Sequence, residues 1–556
     1  MNVQFQRDAH ETALLPTAPR SRTPIAAALA AFAIVFVLNA YVCDDAFMIF
    51  RSVDNFLSGE GLTWNPGERV QVFTGPLYVL PLTLVYLPFW IFSQPLDPTG
   101  IYLAALLVNF ISSALGVWVF ARFCSGWREL CFGLLLLFSS QAFAPFTSSG
   151  LETPLTLALV ILFFCLWFSP RSETKDRHPL RLFMIASICV LNRLDSALLF
   201  IPALCLESFW VWKNLGPRAL LRICTLAALP ILGWIVFSIV YYGAPFPTSY
   251  YAKVGFGMDD SLLWRSGLSY LALSWETDPV TLLTVVLAGL FSVTLLVSNC
   301  RETRNQKLAV AWLGAMLGVV YVTKIGGDFI GFRFLAAPFV ISALVILASL
   351  RTIGPRLAAL THAGAGVALL LYVSVWPSSP LRTPIDLPAT FDVKYYYTPS
   401  SLLSYSFGKR FPFAAFHSVR SAKHCARLPL KAAQVLKMEG GLRGFCSGPQ
   451  ARTIDPLSIT DPLIARLPAP SDLQTFLPGH VVKPVPSGYA ESLRFNENRI
   501  SDPQLREFYA VLHSAITGPL FTWERWKAIW RLNVDYGGRY RNPYLPTVAP
   551  LPADNR

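Results

Sequence analysis

Long apolar segments recur along the first two thirds of the chain, and they restrict what it can fold into. A run of roughly 17 to 25 apolar residues is long enough to cross a membrane as one helix. After a first run at residues 25–42, such runs occupy residues 101–121, 129–146, 151–168, 219–241, 278–298, 307–324, 332–350 and 357–376. The chain is also 54% hydrophobic and only 14% charged. These features predict an all-α polytopic membrane protein and exclude a water-soluble core for this part.

Two further apolar stretches need interpretation. Residues 181–212 are interrupted at Asn192-Arg193-Leu194-Asp195, which predicts two helices that meet near the outer face. If residues 74–92 crossed the membrane, the basic residues of 171–181 would lie outside, against the positive-inside rule. Three prolines in 74–92 also favour a juxtamembrane or re-entrant helix. We therefore predict about eleven transmembrane helices, additional outer-face juxtamembrane helices and a cytoplasmic N-terminus.

This topology divides the chain into three parts: a cytoplasmic segment at 1–24, a transmembrane domain at 25–376 and a periplasmic C-terminal domain at 377–556. The last part is less apolar and rich in proline. An oxidising compartment would permit a disulfide between its cysteines, Cys425 and Cys446, and two buried thiols are the alternative. Trp523, Trp526 and Trp530 are spaced as one helix face, as expected for core or interface anchors or for a platform that stacks on sugars.

The net charge of +13 does not indicate nucleic-acid binding. The basic residues form short clusters between apolar spans, where they determine topology, and they lack the pattern of a basic, aromatic groove. We expect membrane lipids as partners and no nucleic acid.

Asp44 and Asp45 directly follow the first apolar span. Two adjacent carboxylates at a membrane boundary repel each other and are seldom retained for packing alone. A carboxylate here can take the proton of an acceptor hydroxyl as a general base, and either acid is a candidate catalytic residue. Together with Glu152 they are also candidate ligands for a divalent cation such as Mg²⁺, Mn²⁺ or Ca²⁺, although basic residues could take its place.

The predicted topology places further charged residues on the same outer face. Cations there would stabilise the negative charge on a departing phosphate, and the candidates are Lys253, Lys324 and Arg333. Each of these three residues could instead have a structural role, because an arginine at the outer end of a helix often anchors lipid headgroups. Glu152 stands at a helix start, which the helix dipole favours for an acid, and Arg193 with Asp195 would form an ion pair.

Several motifs lie in the predicted outer loops. They are Asp44-Asp45-Ala46-Phe47-Met48-Ile49-Phe50-Arg51, Asn55-Phe56, Gly59-Glu60-Gly61-Leu62-Thr63-Trp64-Asn65-Pro66-Gly67-Glu68-Arg69-Val70, Ser149-Gly150-Leu151-Glu152-Thr153-Pro154, Asn192-Arg193-Leu194-Asp195, Pro247-Thr248-Ser249-Tyr250-Tyr251-Ala252-Lys253 and Gly326-Gly327-Asp328-Phe329 with Arg333-Phe334. These motifs resemble the outer loops of bacterial polyprenyl-phosphate-dependent glycosyltransferases of the C superfamily. The similarity covers about residues 25–350 and is greatest to terminal arabinofuranosyltransferases of the mycobacterial cell wall and to the enzyme that adds arabinofuranose to type IV pilin.

The resemblance implies a glycosyltransferase C fold and an essential acid in the first outer loop, for which Asp44 is our choice over Asp45. It adds Arg51 to the residues expected to bind the donor phosphate. Residues expected to bind the acceptor or the sugar are Glu152, Arg193, Asp195, Asp328, Tyr251 and Trp64.

The function implied is the transfer of a sugar, D-arabinofuranose by resemblance, from a polyprenyl-phosphate donor to a glycan or pilin acceptor. The expected place is the bacterial inner membrane, with the active site facing the periplasm. A flippase or transporter of a lipid-linked sugar is the alternative. A transporter would have polar residues deep in several spans and internal repeats, whereas this chain concentrates its charged residues near one face. A non-catalytic scaffold would tolerate substitution of the acid pair.

Overall fold

The computed structural model describes residues 22–92, 99–169, 177–253, 259–328, 330–376, 380, 401–402, 435–437, 440–469, 481–544 and 546. Its first fifteen helices are α1 Arg22–Asn39, α2 Ala46–Leu57, α3 Pro76–Phe92, α4 Thr99–Phe123, α5 Trp127–Ser139, α6 Thr153–Phe168, α7 Arg177–Asn192, α8 Ala197–Leu215, α9 Pro217–Tyr242, α10 Thr248–Lys253, α11 Asp260–Thr277, α12 Pro279–Ser298, α13 Thr303–Lys324, α14 Ala336–Leu350 and α15 Pro355–Val375. The later elements are β1 Val435–Lys437, α16 Leu442–Cys446, β2 Arg452–Ile454, α17 Tyr489–Phe495, α18 Pro503–Thr517 and α19 Trp523–Trp530.

The predicted helical fold is confirmed. Each of the eleven predicted spans contains a helix, and within the described ranges seven helices are long and apolar enough to cross a membrane. The predicted break after Asn192 is also present, because α7 ends there, Arg193 is extended and a 3₁₀ turn at Leu194–Ser196 leads into α8. A short parallel pair of strands, β1 and β2, is a small addition to this architecture. The chain is a multi-pass, all-α membrane protein.

Residues 74–92 contain the continuous helix α3. Pro81 and Pro88 lie inside it without ending it, although an internal proline removes one backbone hydrogen bond. Leu80 and Leu84 are exposed on this helix, whereas Tyr78 and Leu82 are buried. Whether α3 lies along the membrane surface or crosses the membrane stays a prediction.

The chain forms two compact units. The first comprises Met1–Val42, Leu106–Ile231 and Leu263–Pro412. Its central helix is α14, whose side chains are nearly all buried, whereas α15 buries none of its residues. Helices α8 and α13 approach closely at Gly314, where a β-carbon would lie 2.2 Å from the carbonyl oxygen of Leu199. Small residues at such contacts allow membrane helices to pack backbone to backbone.

The second unit comprises Cys43–Ala105, Leu232–Leu262 and Phe413–Arg556. It therefore combines the tail with two earlier segments, and the predicted domain boundary at residue 377 stays a prediction. Its core includes Trp64, Ile454 and Leu512. Cys446 is disulfide-bonded, as the sequence allowed, and its predicted partner Cys425 lies outside the described residues.

The tryptophan stripe of α19 divides into two kinds of residue. Trp526 packs against the core of the second unit, while Trp523 and Trp530 are about two-thirds exposed. The helical spacing is as predicted, and a sugar-stacking role for the two exposed rings stays a prediction.

Candidate active site

One group of candidate residues lies in the first unit, at the ends of its helices. Glu152 directly precedes α6 and Arg193 directly follows α7. The side-chain amide of Asn192 joins these two helix ends, because it donates to the Glu152 carbonyl oxygen at 3.2 Å and to Thr156 Oγ1 at 2.9 Å. Arg333 begins the 3₁₀ turn that leads into α14. The sequence thus brings residues from three separate segments to one place.

These residues form an ion-pair cluster, which we define as Glu152, Arg193, Asp195, Asp328 and Arg333. Arg193 donates two hydrogen bonds to Asp195, at 2.8 and 3.0 Å. Glu152 Oε1 lies 3.6 Å from Arg193 Nη1 and 3.7 Å from Arg333 Nη2. Arg333 Nη1 lies 3.9 Å from Asp328 Oδ2. Paired carboxylates and guanidinium groups of this kind can bind the hydroxyl groups of a sugar.

The electrostatics of the cluster depend on burial. The Glu152 side chain is only 1% exposed, and its Oε2 has no hydrogen-bond partner among the described residues. Burial lowers the pKa of Arg193, but the charges of Asp195 and Glu152 outweigh this effect and raise it overall. Both arginines also face the ring of Phe334, with guanidinium carbons 4.5 and 5.7 Å from its centroid.

A small cavity of about 40 Å³ borders the cluster. Arg193, Asp195 and Arg333 line it together with Thr156 and Tyr321. A cavity of this size holds a few water molecules, because one water requires roughly 10 to 15 Å³. The neighbouring candidate Lys324 is exposed at the end of α13 and is not one of the lining residues.

The acid pair lies in the second unit, in the turn before α2. Asp44 Oδ1 accepts a hydrogen bond of 2.9 Å from the backbone N–H of Leu442. Asp45 occupies the N-cap position of α2 without a side-chain capping bond. Both carboxylates are half-buried. The segment that follows α1 and the tail thus meet at Asp44.

Gly441 allows this close approach. Its φ is +85°, and a β-carbon there would lie 2.1 Å from Asp44 Oδ2. Positive φ is accessible to glycine without the strain that other residues experience. Both the backbone angle and the lack of space therefore require glycine beside the candidate base.

Arg51 and Trp64 occupy structural positions. Arg51 is 1% exposed and donates to the carbonyl oxygens of Gly444 and Ala451 and to Ser447 Oγ. Burial lowers the pKa of Arg51 to about 9, an effect that the charge of Asp54 partly opposes.

Trp64 is also 1% exposed and donates through its indole N–H to Thr453 Oγ1. Its ring lies 4.6 Å from the Arg51 guanidinium carbon. Neither side chain reaches the surface, so burial does not favour Arg51 as a phosphate ligand or Trp64 as a sugar ligand, and both assignments stay predictions.

The remaining candidates of the second unit lie on α10. Tyr251 is buried, and Lys253 at the end of the helix is exposed. The guanidinium carbon of Arg466 lies 4.1 Å from the centroid of the Tyr251 ring, and that of Arg539 lies 6.0 Å from it. Burial raises the pKa of the Tyr251 phenol, and the two positive charges oppose this effect. Tyr251 therefore lies among cations of the tail.

The predicted divalent cation is not supported by a ready-made donor set. Within the described part of the chain, no group of three or more His, Cys, Asp or Glu side chains is arranged to hold a metal ion. A cation at Asp44, Asp45 and Glu152 stays a prediction.

Sequence reasoning missed the contributions of the tail. Gly441, Leu442, Arg466 and Arg539 lie beyond the region of resemblance, and no local motif marks them. The glycine pair Gly440-Gly441 was the one available signal, since it predicts unusual backbone geometry.

Comparison with characterised proteins supports the resemblance seen in the motifs. The chain is 24% identical over 332 residues to the terminal β-(1→2)-arabinofuranosyltransferase of Mycobacterium tuberculosis, covering 54% of this chain and 51% of the relative. It is 27% identical over 331 residues to the enzyme of the same name from Corynebacterium glutamicum, covering 54% and 46%. The predicted resemblance is confirmed. The chain spans about half the length of the relatives it matches.

The remaining comparisons are with protein-family models and with solved structures. No protein-family model matches the chain. Among solved structures, ArnT from Cupriavidus metallidurans bound to undecaprenyl phosphate aligns with a TM-score of 0.47 and 14% identity, over 79% of this chain and 86% of that one. An oligosaccharyltransferase from Archaeoglobus fulgidus aligns with a TM-score of 0.39 and 10% identity, over 78% and 64%.

Proposed function

We propose that this protein is a membrane glycosyltransferase that moves a sugar, D-arabinofuranose, from a polyprenyl-phosphate donor to a hydroxyl group of a cell-envelope glycan or pilin. The similarity to two terminal arabinofuranosyltransferases carries this proposal. Both relatives are transferases by name, which favours transfer over transport of a lipid-linked sugar.

In this proposal Asp44 is the general base. Its carboxylate takes the proton of the acceptor hydroxyl while the hydroxyl oxygen attacks the anomeric carbon of the donor sugar. The bond between that carbon and the phosphate oxygen breaks, and the polyprenyl phosphate leaves with the electron pair. The N–H of Leu442 holds one oxygen of this carboxylate in place. Lys253 stabilises the charge on the leaving phosphate.

The ion-pair cluster has a different role in this proposal. Its acids accept hydrogen bonds from sugar hydroxyl groups, while Arg193 and Arg333 fix the positions of the carboxylates. Asp195 is the most suitable contact, because its side chain is 25% exposed, whereas Glu152 is almost completely buried. Thr156 and Tyr321 add hydroxyl groups to the same cavity.

Substitution of the acids tests the catalytic assignment. We expect Asp44→Asn to abolish transfer in proteoliposomes that contain a polyprenyl-phosphate sugar and an acceptor glycan, and Asp45→Asn to retain part of the activity. Asp259→Asn, at an exposed position, is the matched control. Full activity of folded Asp44→Asn would remove Asp44 from catalysis, and loss in Asp45→Asn alone would make Asp45 the base.

We further propose that the protein lies in the inner membrane with its active site facing the periplasm. A reporter fused after Arg177 should then lie in the cytoplasm, and one fused at residue 400 should lie outside. An external reporter after Arg177 would mean that α3 crosses the membrane, and the proposed placement of the site would fail.

A further inference from the structure

Three basic residues of the tail gather beside α10. Lys483 donates from Nζ to the carbonyl oxygens of Ile464, Ala465 and Leu467, which flank Arg466. The charge of Arg539 lowers the pKa of both Arg466 and Lys483, in each case after the larger effect of burial. The charge of Arg539 therefore acts on both of the other basic residues.

Arg466 is the most unusual of the three. It is 5% exposed and donates from Nη1 to the carbonyl oxygen of Pro462 at 2.8 Å. Its Nε has no hydrogen-bond partner among the described residues. The carbonyl group and the Tyr251 ring are neutral partners. Burial has the largest effect on the pKa of Arg466 and lowers it overall, although the charge of Asp461 raises it. A bound anion would offset part of the cost of burying this charge.

The basic residues differ in exposure, because Arg466 is buried, Arg539 is half-buried and Lys253 is exposed. The guanidinium carbon of Arg539 lies 5.9 Å from the Tyr250 ring and 6.0 Å from the Tyr251 ring, and that of Arg466 lies 4.1 Å from the Tyr251 ring. Lys253 follows these tyrosines at the end of the same helix. An anion that contacts Arg539 would therefore also experience the positive charge of Arg466, because both arginines contact the Tyr251 ring.

Gly538 packs against the ring of Tyr251. A β-carbon at this position would lie 2.7 Å from a ring carbon of Tyr251, and its φ is +77°. The residue before Arg539 therefore approaches the ring as closely as the backbone can. This contact fixes the start of the Arg539 side chain against α10.

We propose that Arg539, Arg466 and Lys253 form a phosphate site, with Tyr250 and Tyr251 as its aromatic wall, and that it binds the phosphate of the polyprenyl-phosphate donor. The inference rests on the proposed function for the identity of the ligand. Guanidinium groups suit phosphate because their planar donors match two of its oxygens. Arg539 contacts the phosphate, and the buried Arg466 adds positive electrostatic potential without contacting it.

Binding measurements test this site independently of sugar transfer. The purified full-length protein in nanodiscs is titrated with decaprenyl phosphate, with decaprenol and with inorganic phosphate, and binding is followed by native mass spectrometry. We expect Arg539→Gln to weaken binding of decaprenyl phosphate about tenfold or more, the loss expected for one charged hydrogen bond. Binding of decaprenol should not change. In the transfer assay the KM for the donor should rise by a similar factor, with little change in kcat.

Arg499→Gln is the matched control, because Arg499 also faces an aromatic ring, that of Phe495 at 4.2 Å, but lies in an exposed ion pair with Glu497. Arg466→Gln should weaken phosphate binding, and Arg466→Lys should restore most of it. If Arg466→Gln fails to fold, Arg539→Gln decides the question alone.

Each remaining outcome has a definite meaning. Equal affinities for decaprenyl phosphate in Arg539→Gln and Arg499→Gln would overturn the site while leaving the proposed function intact. Loss of inorganic phosphate binding alone would show a free-phosphate site and overturn the donor assignment. A wild-type protein that binds decaprenol and decaprenyl phosphate equally would contradict the proposed function as well.

Discussion

The two units stabilise their charged residues in different ways. In the first unit, Arg193 pairs with Asp195, and Glu152 lies between two arginines, so opposite charges compensate each other. In the second unit, Arg51 and Lys483 donate mainly to backbone carbonyl groups. Backbone groups satisfy hydrogen bonds but carry no opposite charge, and the charge of Asp54 only partly opposes the effect of burial on Arg51. The first arrangement therefore suits a rigid, internally neutralised binding surface, whereas in the second the positive charges are compensated less completely.

The largest expected effect is in the first unit. Glu152→Ala removes the carboxylate between Arg193 and Arg333 and should lower the free energy of unfolding by about 3 to 5 kcal/mol, as for a broken buried pair. Asp195→Asn, at a more exposed position, should cost about 1 kcal/mol or less. Thermal unfolding in detergent would measure both. Equal losses of stability in Glu152→Ala and Asp195→Asn would show that burial does not determine how much each acid of the ion-pair cluster contributes.

The next largest effect is expected at the turn before α2, which contains Asp44 and Asp45. Gly441→Ala should lower kcat by about 100-fold, the effect of a displacement near 1 Å at a reacting group, because the new methyl group pushes against Asp44. Gly59→Ala provides the control, since Gly59 has φ +86° but no atom within 4 Å of the added carbon.

Both alanine variants should lose stability on the order of 1 kcal/mol from backbone strain. A steady-state transfer assay combined with thermal unfolding separates strain from displacement of the base. If the two variants lost activity equally, Gly441 would have no positioning role.

A smaller effect is expected at Arg51. Arg51→Met leaves the carbonyl oxygens of Gly444 and Ala451 without this donor and should cost about 1 to 3 kcal/mol. The loss should be smaller than for Glu152→Ala, because Arg51 donates mainly to neutral backbone carbonyl groups and the charge of Asp54 opposes the effect of its burial only in part. A loss greater than that of Glu152→Ala would break the distinction between the two units.

A dependence of stability on pH is also expected in the second unit. Burial, with the nearby charges of Glu68 and Asp455, raises the pKa of Asp461 to about 8 from an ordinary value near 3.8. The folded state then holds a proton that the unfolded state releases, so this contribution is present below pH 4 and is lost as pH rises towards 8.

Asp461→Asn should flatten the fall of the unfolding temperature between pH 5 and 8. Glu497→Gln, which replaces an exposed acid, should leave the slope unchanged. An unchanged slope in Asp461→Asn would contradict the raised pKa.

The sequence predicted the helices well because apolar length is a local property. It located the break after Asn192 for the same reason, since polar residues interrupt an apolar run. The end of α5 was less predictable. The apolar run continues to residue 146, but α5 ends at Ser139 and a 3₁₀ turn follows at Pro145–Thr147. Tertiary contacts determine that boundary, including the hydrogen bond from the Gln141 N–H to Asp278.

The candidate site was predicted in part for a related reason. The motifs contain Glu152, Arg193 and Arg333, and the structure brings these residues together. The motifs also contain Arg51 and Trp64, but their partners Ala451 and Thr453 are separated from them by about 400 positions. A motif shows which residues belong to a loop and not which of them the tail covers. Arg466 and Arg539 were missed because no sequence pattern relates them to Tyr251.

The hydrogen bond from Leu442 to Asp44 also bears on how the protein is made. These residues are 398 positions apart in the chain. At about 5 to 20 residues per second, translation takes roughly 20 to 80 seconds to travel from one to the other. Throughout that time the nascent chain has its proposed base but not the group that orients it. A prematurely terminated product that lacks residue 442 would insert into the membrane with a poorly oriented base and without Arg466 and Arg539.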